Sequence, residues 1–181
     1  MQAKRLRKLA TKLMGELVIN HGAQRPAGQT SADDTRIVQT LAEMVPTAAA
    51  SYQQAMLDLV DTNRVSFRGP ALELRESLRE ILDYLAPDDD VMGVDGFKLE
   101  PERKKPTMKQ KMRFILRARG RSKSESVVPE NTANAIDAMI AELARSVYDK
   151  SSVATHVATS RRNVDQVKRY VGALLHDILE I

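Results

Sequence analysis

Along most of the chain, apolar residues recur every three or four positions, and they rarely alternate with polar ones. That is the spacing of one helix face, not of a half-buried strand. Leu6, Leu9, Leu13 and Leu17 mark a basic amphipathic helix within residues 4–19. GAQRPAGQTSADD, from Gly22 to Asp34, has the small and polar composition of a flexible linker. The expected organisation is a basic N-terminal helix or arm over 1–22, a linker over 23–34, and an all-α helical domain over 35–181.

Within that domain, Asp33 or Asp34 is the expected N-cap of a short helix carrying Ile37, Val38, Leu41, Met44 and Val45. Pro46 punctuates it, and a second helix faces inward through Tyr52, Ala55, Met56 and Leu59. Gly69-Pro70 opens a third, because the first-turn amide that proline lacks has no helical acceptor anyway. Its stripe is Ala71, Leu74, Leu78, Ile81 and Leu85, with Glu73, Arg75, Glu76, Arg79 and Glu80 on the wet side. Pro87 ends it. Residues 88–106 read as irregular, with one short strand at most, and Asp88-Asp89-Asp90 as a helix terminator. Thr107 and Gln110 form a capping-box pair, and Met108, Met112, Ile115 and Leu116 are the inner face that follows. Gly120 fits the end of that helix, and Arg121–Glu125 reads as a loop. Pro129 introduces a helix running to about residue 149. A short connection holding His156 leads to a last helix over 161–179, antiparallel to it and capped by Thr159 or Ser160. The expectation is an all-α bundle of six to seven helices.

Composition narrows the chemistry. With aromatics at 4% and no tryptophan, the core must be aliphatic, and a groove lined with stacking rings is not expected. No cysteine is present, which excludes disulfides and thiolate zinc sites and suits a reducing compartment. His21, His156 and His176 are far apart and form no metal-spacing motif. No apolar run approaches the ~18 residues of a membrane span, and the charged N-terminus lacks a signal-peptide centre. The expectation is a soluble, cytoplasmic protein without a metal or cofactor.

Charge is uneven. The net value is +4, yet residues 98–123 hold eleven bases against two acids, a local charge of +9. Lys4, Arg5, Arg7, Lys8 and Lys12 add a second basic block. An anionic partner, nucleic acid first, is implied. Lys104, Lys105, Lys109, Lys111, Arg113 and Arg117 are the expected phosphate contacts, outward-facing around the buried methionines. Phe97 and Phe114 are the only aromatics among them, so backbone contact is favoured over base readout.

A second cluster lies at the junction of the last two helices: Arg145, Tyr148, Lys150 and His156, with Arg161 and Arg162 opening the final helix. Metal-free RNA cleavage needs a base for the 2′-hydroxyl proton, an acid for the leaving oxygen, and fixed positive charge on the phosphate. His156 with Arg145, assisted by Lys150, has the right residue types, and Arg161 and Arg162 suit further phosphate contacts. The same residues also suit a solvated helix end. Pro87-Asp88 followed by Glu102-Arg103-Lys104 matches the acid-and-lysine pattern of restriction endonucleases. That pattern is short and needs strands this region lacks, so it is set aside.

Three blocks carry a resemblance: ASYQQAMLDLVDTNRVSFRGPALELRESLREILDYLAPDDDV, GFKLEPERKKPTMKQKMRFILRARG and RSVYDKSSVATHVATSRRNVDQVKRYVGALLHDILEI. They resemble the bacterial family called predicted PIWI-associated nuclease, from about residue 45 onward, with Phe67-Arg68-Gly69 and Lys105–Thr107 as shared motifs. The resemblance implies a role in prokaryotic conflict systems, against phage or plasmids. A more distant similarity is to the HEPN superfamily of all-α dimeric ribonucleases and RNA-binding modules, whose motif is an arginine, four to six residues, then a histidine. Here ten residues separate Arg145 from His156, and Lys150 sits at the motif's spacing. The leading expectation is a metal-independent nuclease-type effector acting on RNA as a homodimer, with a defence-system partner protein. The alternative is a non-catalytic helical module that binds nucleic acid or a partner effector.

Overall fold

The computed structural model describes residues 31–61, 63, 64, 66–145 and 161–181, with the side chains of the long sixth helix described as far as Glu142. The expected arm over 1–22 and most of the expected linker lie outside these residues. Those described form seven helices and no strand: α1 (Ala32–Met44), α2 (Pro46–Val60), α3 (Arg68–Leu85), α4 (Asp88–Met92), α5 (Met108–Ala118), α6 (Lys123–Arg145) and α7 (Arg161–Leu179). The all-α expectation is met.

Local chemistry sets each boundary. The cap of α1 is Ser31, not Asp33 or Asp34. Its hydroxyl accepts from the Asp34 amide at 2.9 Å, and the Asp34 carboxylate accepts from the Ser31 amide at 3.0 Å. This reciprocal pairing satisfies two otherwise orphaned donors. Pro46 sits at the start of α2, where its missing amide hydrogen costs nothing. In Phe67-Arg68-Gly69 the glycine makes room: a Cβ there would lie 3.0 Å from Nη2 of Arg64, whose guanidinium pairs with Asp58 at 2.5 Å.

Two segments differ from the sequence expectation. Asp88–Asp90 begin a helix instead of terminating one, and their carboxylates lie at the positive end of its dipole. The long helix α6 starts at Lys123, six residues before Pro129. Ser122 and Glu125 form a second capping box, with the Ser122 amide donating to Glu125 at 2.8 Å and the Glu125 amide to the Ser122 hydroxyl at 3.3 Å. Helix α5 ends as expected. Gly120 adopts φ 73, and the Arg121 and Gly120 amides donate to the Leu116 and Arg117 carbonyls, both at 2.9 Å, a Schellman closure.

Helix α3 is the hub, touching α2, α5, α6 and α7. Leu74, Leu78, Ile81 and Leu82 are fully buried there, against Met112 of α5, Ile136 of α6 and Leu174, Leu175 and Ile178 of α7 in one continuous core. Truncating any of these leucines to alanine removes about 2–5 kcal/mol, the transfer energy plus the cavity left behind. A buried polar knot ties α1, α2 and α7: the Tyr52 hydroxyl donates to Asp34 Oδ1 at 2.9 Å and Lys168 Nζ to Asp34 Oδ2 at 2.8 Å. Burial acts to raise the Asp34 pKa, but the hydrogen bonds from Lys168 and Ser31 outweigh it and hold the carboxyl below its usual value. Burial, then the neighbouring Asp34 charge, pushes Tyr52 well above an ordinary phenol.

Candidate nucleic-acid interface

The basic segment folds around α5. The loop before it is pinned by Gln110, whose Nε2 donates to the Lys98 carbonyl at 2.8 Å while its Oε1 accepts from the Thr107 amide at 3.0 Å. Thr107 and Gln110 thus cap α5 as the sequence predicts. Met108, Met112, Ile115 and Leu116 are buried, also as expected.

At the N-terminal end of α5 the loop, α3 and α6 enclose a groove of about 670 Å³. Most charge along its walls is internally matched. Arg75 on α3 donates to Asp137 on α6 at 3.0 Å. Arg79 is clasped by Glu76 and Asp83, and the Glu76 hydrogen bond raises its pKa further above the usual arginine value. Lys111 departs from the expected outward direction. Its side chain is only 5% exposed, and its ammonium lies 2.7 Å from Asp83 Oδ1 and 2.6 Å from Asp88 Oδ1. The reason is helical register: Lys111 falls between Met108 and Ile115 on the inner face, and the two acids neutralise it where water cannot. The Lys111 hydrogen bond holds Asp88 below the usual carboxylate range. Lys105 pairs with the other Asp88 oxygen at 3.1 Å but is 79% exposed, so it remains free to turn to a ligand.

Arg113 is likewise engaged. Its guanidinium makes a two-pronged contact with Glu130 of α6, at 2.9 and 2.5 Å, which raises its pKa. What remains is a smaller free set. Lys98, Arg103, Lys104, Lys109, Arg117 and Lys123 have no acidic partner within 4.0 Å among the described residues. Arg103 and Lys104 are exposed at the groove mouth, and Arg117 is exposed on the outer side of α5. Lys98 was not singled out from the sequence as a contact. The signal that finds it is its place beside the glycine-rich turn that folds over α5.

Asp88, Glu102 and Lys104 of the endonuclease-like pattern do line the same groove. Each Asp88 oxygen is already met by a lysine, and among the described residues no three His, Cys, Asp or Glu side chains gather in a way that could hold a metal ion. Among the described residues, only Asp88 of this pattern is ion-paired, to Lys105 and Lys111.

The second candidate cluster is only partly described. Helix α6 is described as far as Arg145 and α7 from Arg161 and Arg162 onward, and the two helices pack together. Arg161 lies 4.0 Å from Asp165, and Arg162 is exposed. Lys150 and His156 lie outside the described residues, as does the side chain of Arg145. Of the other histidines, His176 sits on α7 with Nδ1 2.6 Å from the Ile181 carbonyl oxygen. No described helix is long and apolar enough to cross a membrane.

No curated protein and no solved structure matches the chain. A family model does match residues 41–178, which run from α1 into the last turn of α7 and include every residue of the groove. On that match over most of its length, the chain belongs to the family described as predicted pPIWI-associating nuclease.

Proposed function

We propose that this chain grips the phosphate backbone of RNA with the free bases around α5 and cleaves it without a metal ion at the α6–α7 junction. The observation that supports the reading best is the unmatched set Arg103, Lys104, Lys109 and Arg117 on one helix and its leading loop, beside a groove in which most other charges are paired with one another. Unpaired cations attract phosphates and release their counterions on binding. In the proposed chemistry His156 takes the 2′-hydroxyl proton and the oxygen attacks the adjacent phosphorus. Arg145, assisted by Lys150, stabilises the extra negative charge, while Arg161 and Arg162 hold the flanking phosphate. The 5′-oxygen leaves with a proton from a second acid, and a 2′,3′-cyclic phosphate remains. A homodimer would bring two such sets together. The family's description names association with a pPIWI protein, and the proposed setting is a prokaryotic system directed against phage or plasmids.

The test is incubation of the purified chain with end-labelled single-stranded RNA in excess EDTA. The reading expects cyclic-phosphate ends, no cleavage where the 2′-hydroxyl is replaced by hydrogen, and a loss of about 10²–10⁴-fold in His156→Ala. Cleavage that stops on chelation overturns metal independence. Salt-sensitive binding without cleavage instead favours the second reading, a non-catalytic module, to which the ten-residue interval between Arg145 and His156 already points.

A further inference from the structure

The chain is poor in aromatics, with only three phenylalanines, yet two of them, Phe97 and Phe114, line one cavity of about 570 Å³. It lies on the outer side of α5, under the turn that contains Gly96. Both rings are half-buried against the core, and buried Val91 extends the apolar wall. At the rim stand Lys98 and Arg117, both exposed and without an acidic partner. Asp95, also exposed, lines the cavity as well. Gly96, at φ +71, would carry a Cβ with nothing within 4 Å, so the entrance is open.

From this arrangement we propose that the cavity receives one unstacked nucleobase of a single-stranded nucleic acid. The rings offer it a stacking wall, and Lys98 and Arg117 take the phosphates on either side. The inference rests on the proposed nucleic-acid reading and deepens it, by assigning single strands as the preferred form. The cavity volume falls in the ordinary range for small-ligand sites, roughly 300–1,000 Å³. Ring stacking is indifferent to base identity, because every base has a π-face, while Asp95 can accept a hydrogen bond from an exocyclic amino group. A duplex keeps its bases stacked and out of reach, so it gains only the cation contacts. An apolar side chain of a partner protein would fill the wall but leave both rim cations unmatched.

The experiment measures binding of the full chain to a roughly 12-nucleotide single-stranded RNA and to the same strand in a duplex. Phe114→Leu and Phe97→Leu should each weaken single-strand binding by about 5- to 150-fold, the range for losing one stacked base. Duplex affinity and the salt dependence of binding should stay as in the parent. Phe114→Tyr, which keeps a ring, should retain single-strand affinity. Arg117→Gln should lower the salt dependence for both forms. Unchanged melting curves and duplex affinity show that the leucine variants fold. If they bind the single strand as well as the parent, the base pocket is refuted while the backbone reading stands. If they lose only a protein partner, the pocket is a protein-docking site and the proposal fails. If the parent binds neither RNA, both readings fall together.

Discussion

Replacing Lys111 separates a structural cation from a ligand-binding one. Its ammonium sits 2.6–2.7 Å from one oxygen each of Asp83 and Asp88, with the side chain 5% exposed. Breaking a buried ion pair by deleting one partner costs about 3–5 kcal/mol when the other charge is stranded. Here each acid keeps a second cation, Arg79 for Asp83 and Lys105 for Asp88, and Asp83 is partly in water. The expected loss for Lys111→Ala is therefore smaller, about 2–3 kcal/mol, or roughly 5–10 °C in Tm for a chain of this size. Lys111→Met keeps the apolar stem and should cost less. Combined with Asp88→Asn it should show a coupling of at least about 1 kcal/mol in a double-mutant cycle read by urea denaturation. The contribution also depends on pH. Because the folded Asp88 pKa is depressed, its stabilisation is present above the unfolded carboxylate value and disappears as pH falls through the lowered one. Nucleic-acid affinity of folded Lys111→Met should match the parent. A variant of unchanged stability that loses affinity would refute the assignment and return Lys111 to the phosphate contacts.

Two further outcomes follow from other contacts. Asp34, held below its ordinary pKa, should stabilise the fold above about pH 4, with the benefit lost as pH drops through the folded value; in Asp34→Asn the acid limb of a thermal-stability profile should flatten, and an unchanged limb would contradict this. Ser122→Ala should cost about 1 kcal/mol by removing the cap of α6, whereas no change in melting would mean that the helix effectively begins nearer Pro129.

Much of the bundle was legible in the sequence because its signals are local. The stripes at 74–78–81 and 108–112–115, the Thr107–Gln110 box and the Gly120 closure each depend on neighbours within one turn. The missed caps were local too. Ser31-x-x-Asp34 and Ser122-x-x-Glu125 carry the capping spacing, but the strength of Pro129 as a punctuator hid the second. Charge was harder to read. Counting bases over 98–123 treats each as solvated, whereas Lys111 meets Asp83 across 28 residues and Arg113 meets Glu130 across 17. Those pairings arise only when α3, α4 and α6 pack around α5. The sequence reading sets Lys111 outward with the other bases, although it stands three residues after Met108 and four before Ile115, a register that falls within the buried stripe. Periodicity carries the helix of Arg145 to about residue 149, and α6 is described as far as Arg145; the chemistry expected of Arg145 with His156 rests on residues beyond those described.

The central claim, that the free cations around α5 hold phosphates, is tested most directly by the salt dependence of RNA binding in the parent and in Arg103→Gln/Lys104→Gln. Each phosphate contact on a single strand contributes about −0.7 to the slope of log K against log salt. The double variant should therefore bind more weakly at low salt, with a slope shallower by about 1.4, while Lys111→Met keeps the parent slope. A parent affinity that stays flat with salt, or a slope unaltered by removing Arg103 and Lys104, would contradict the claim.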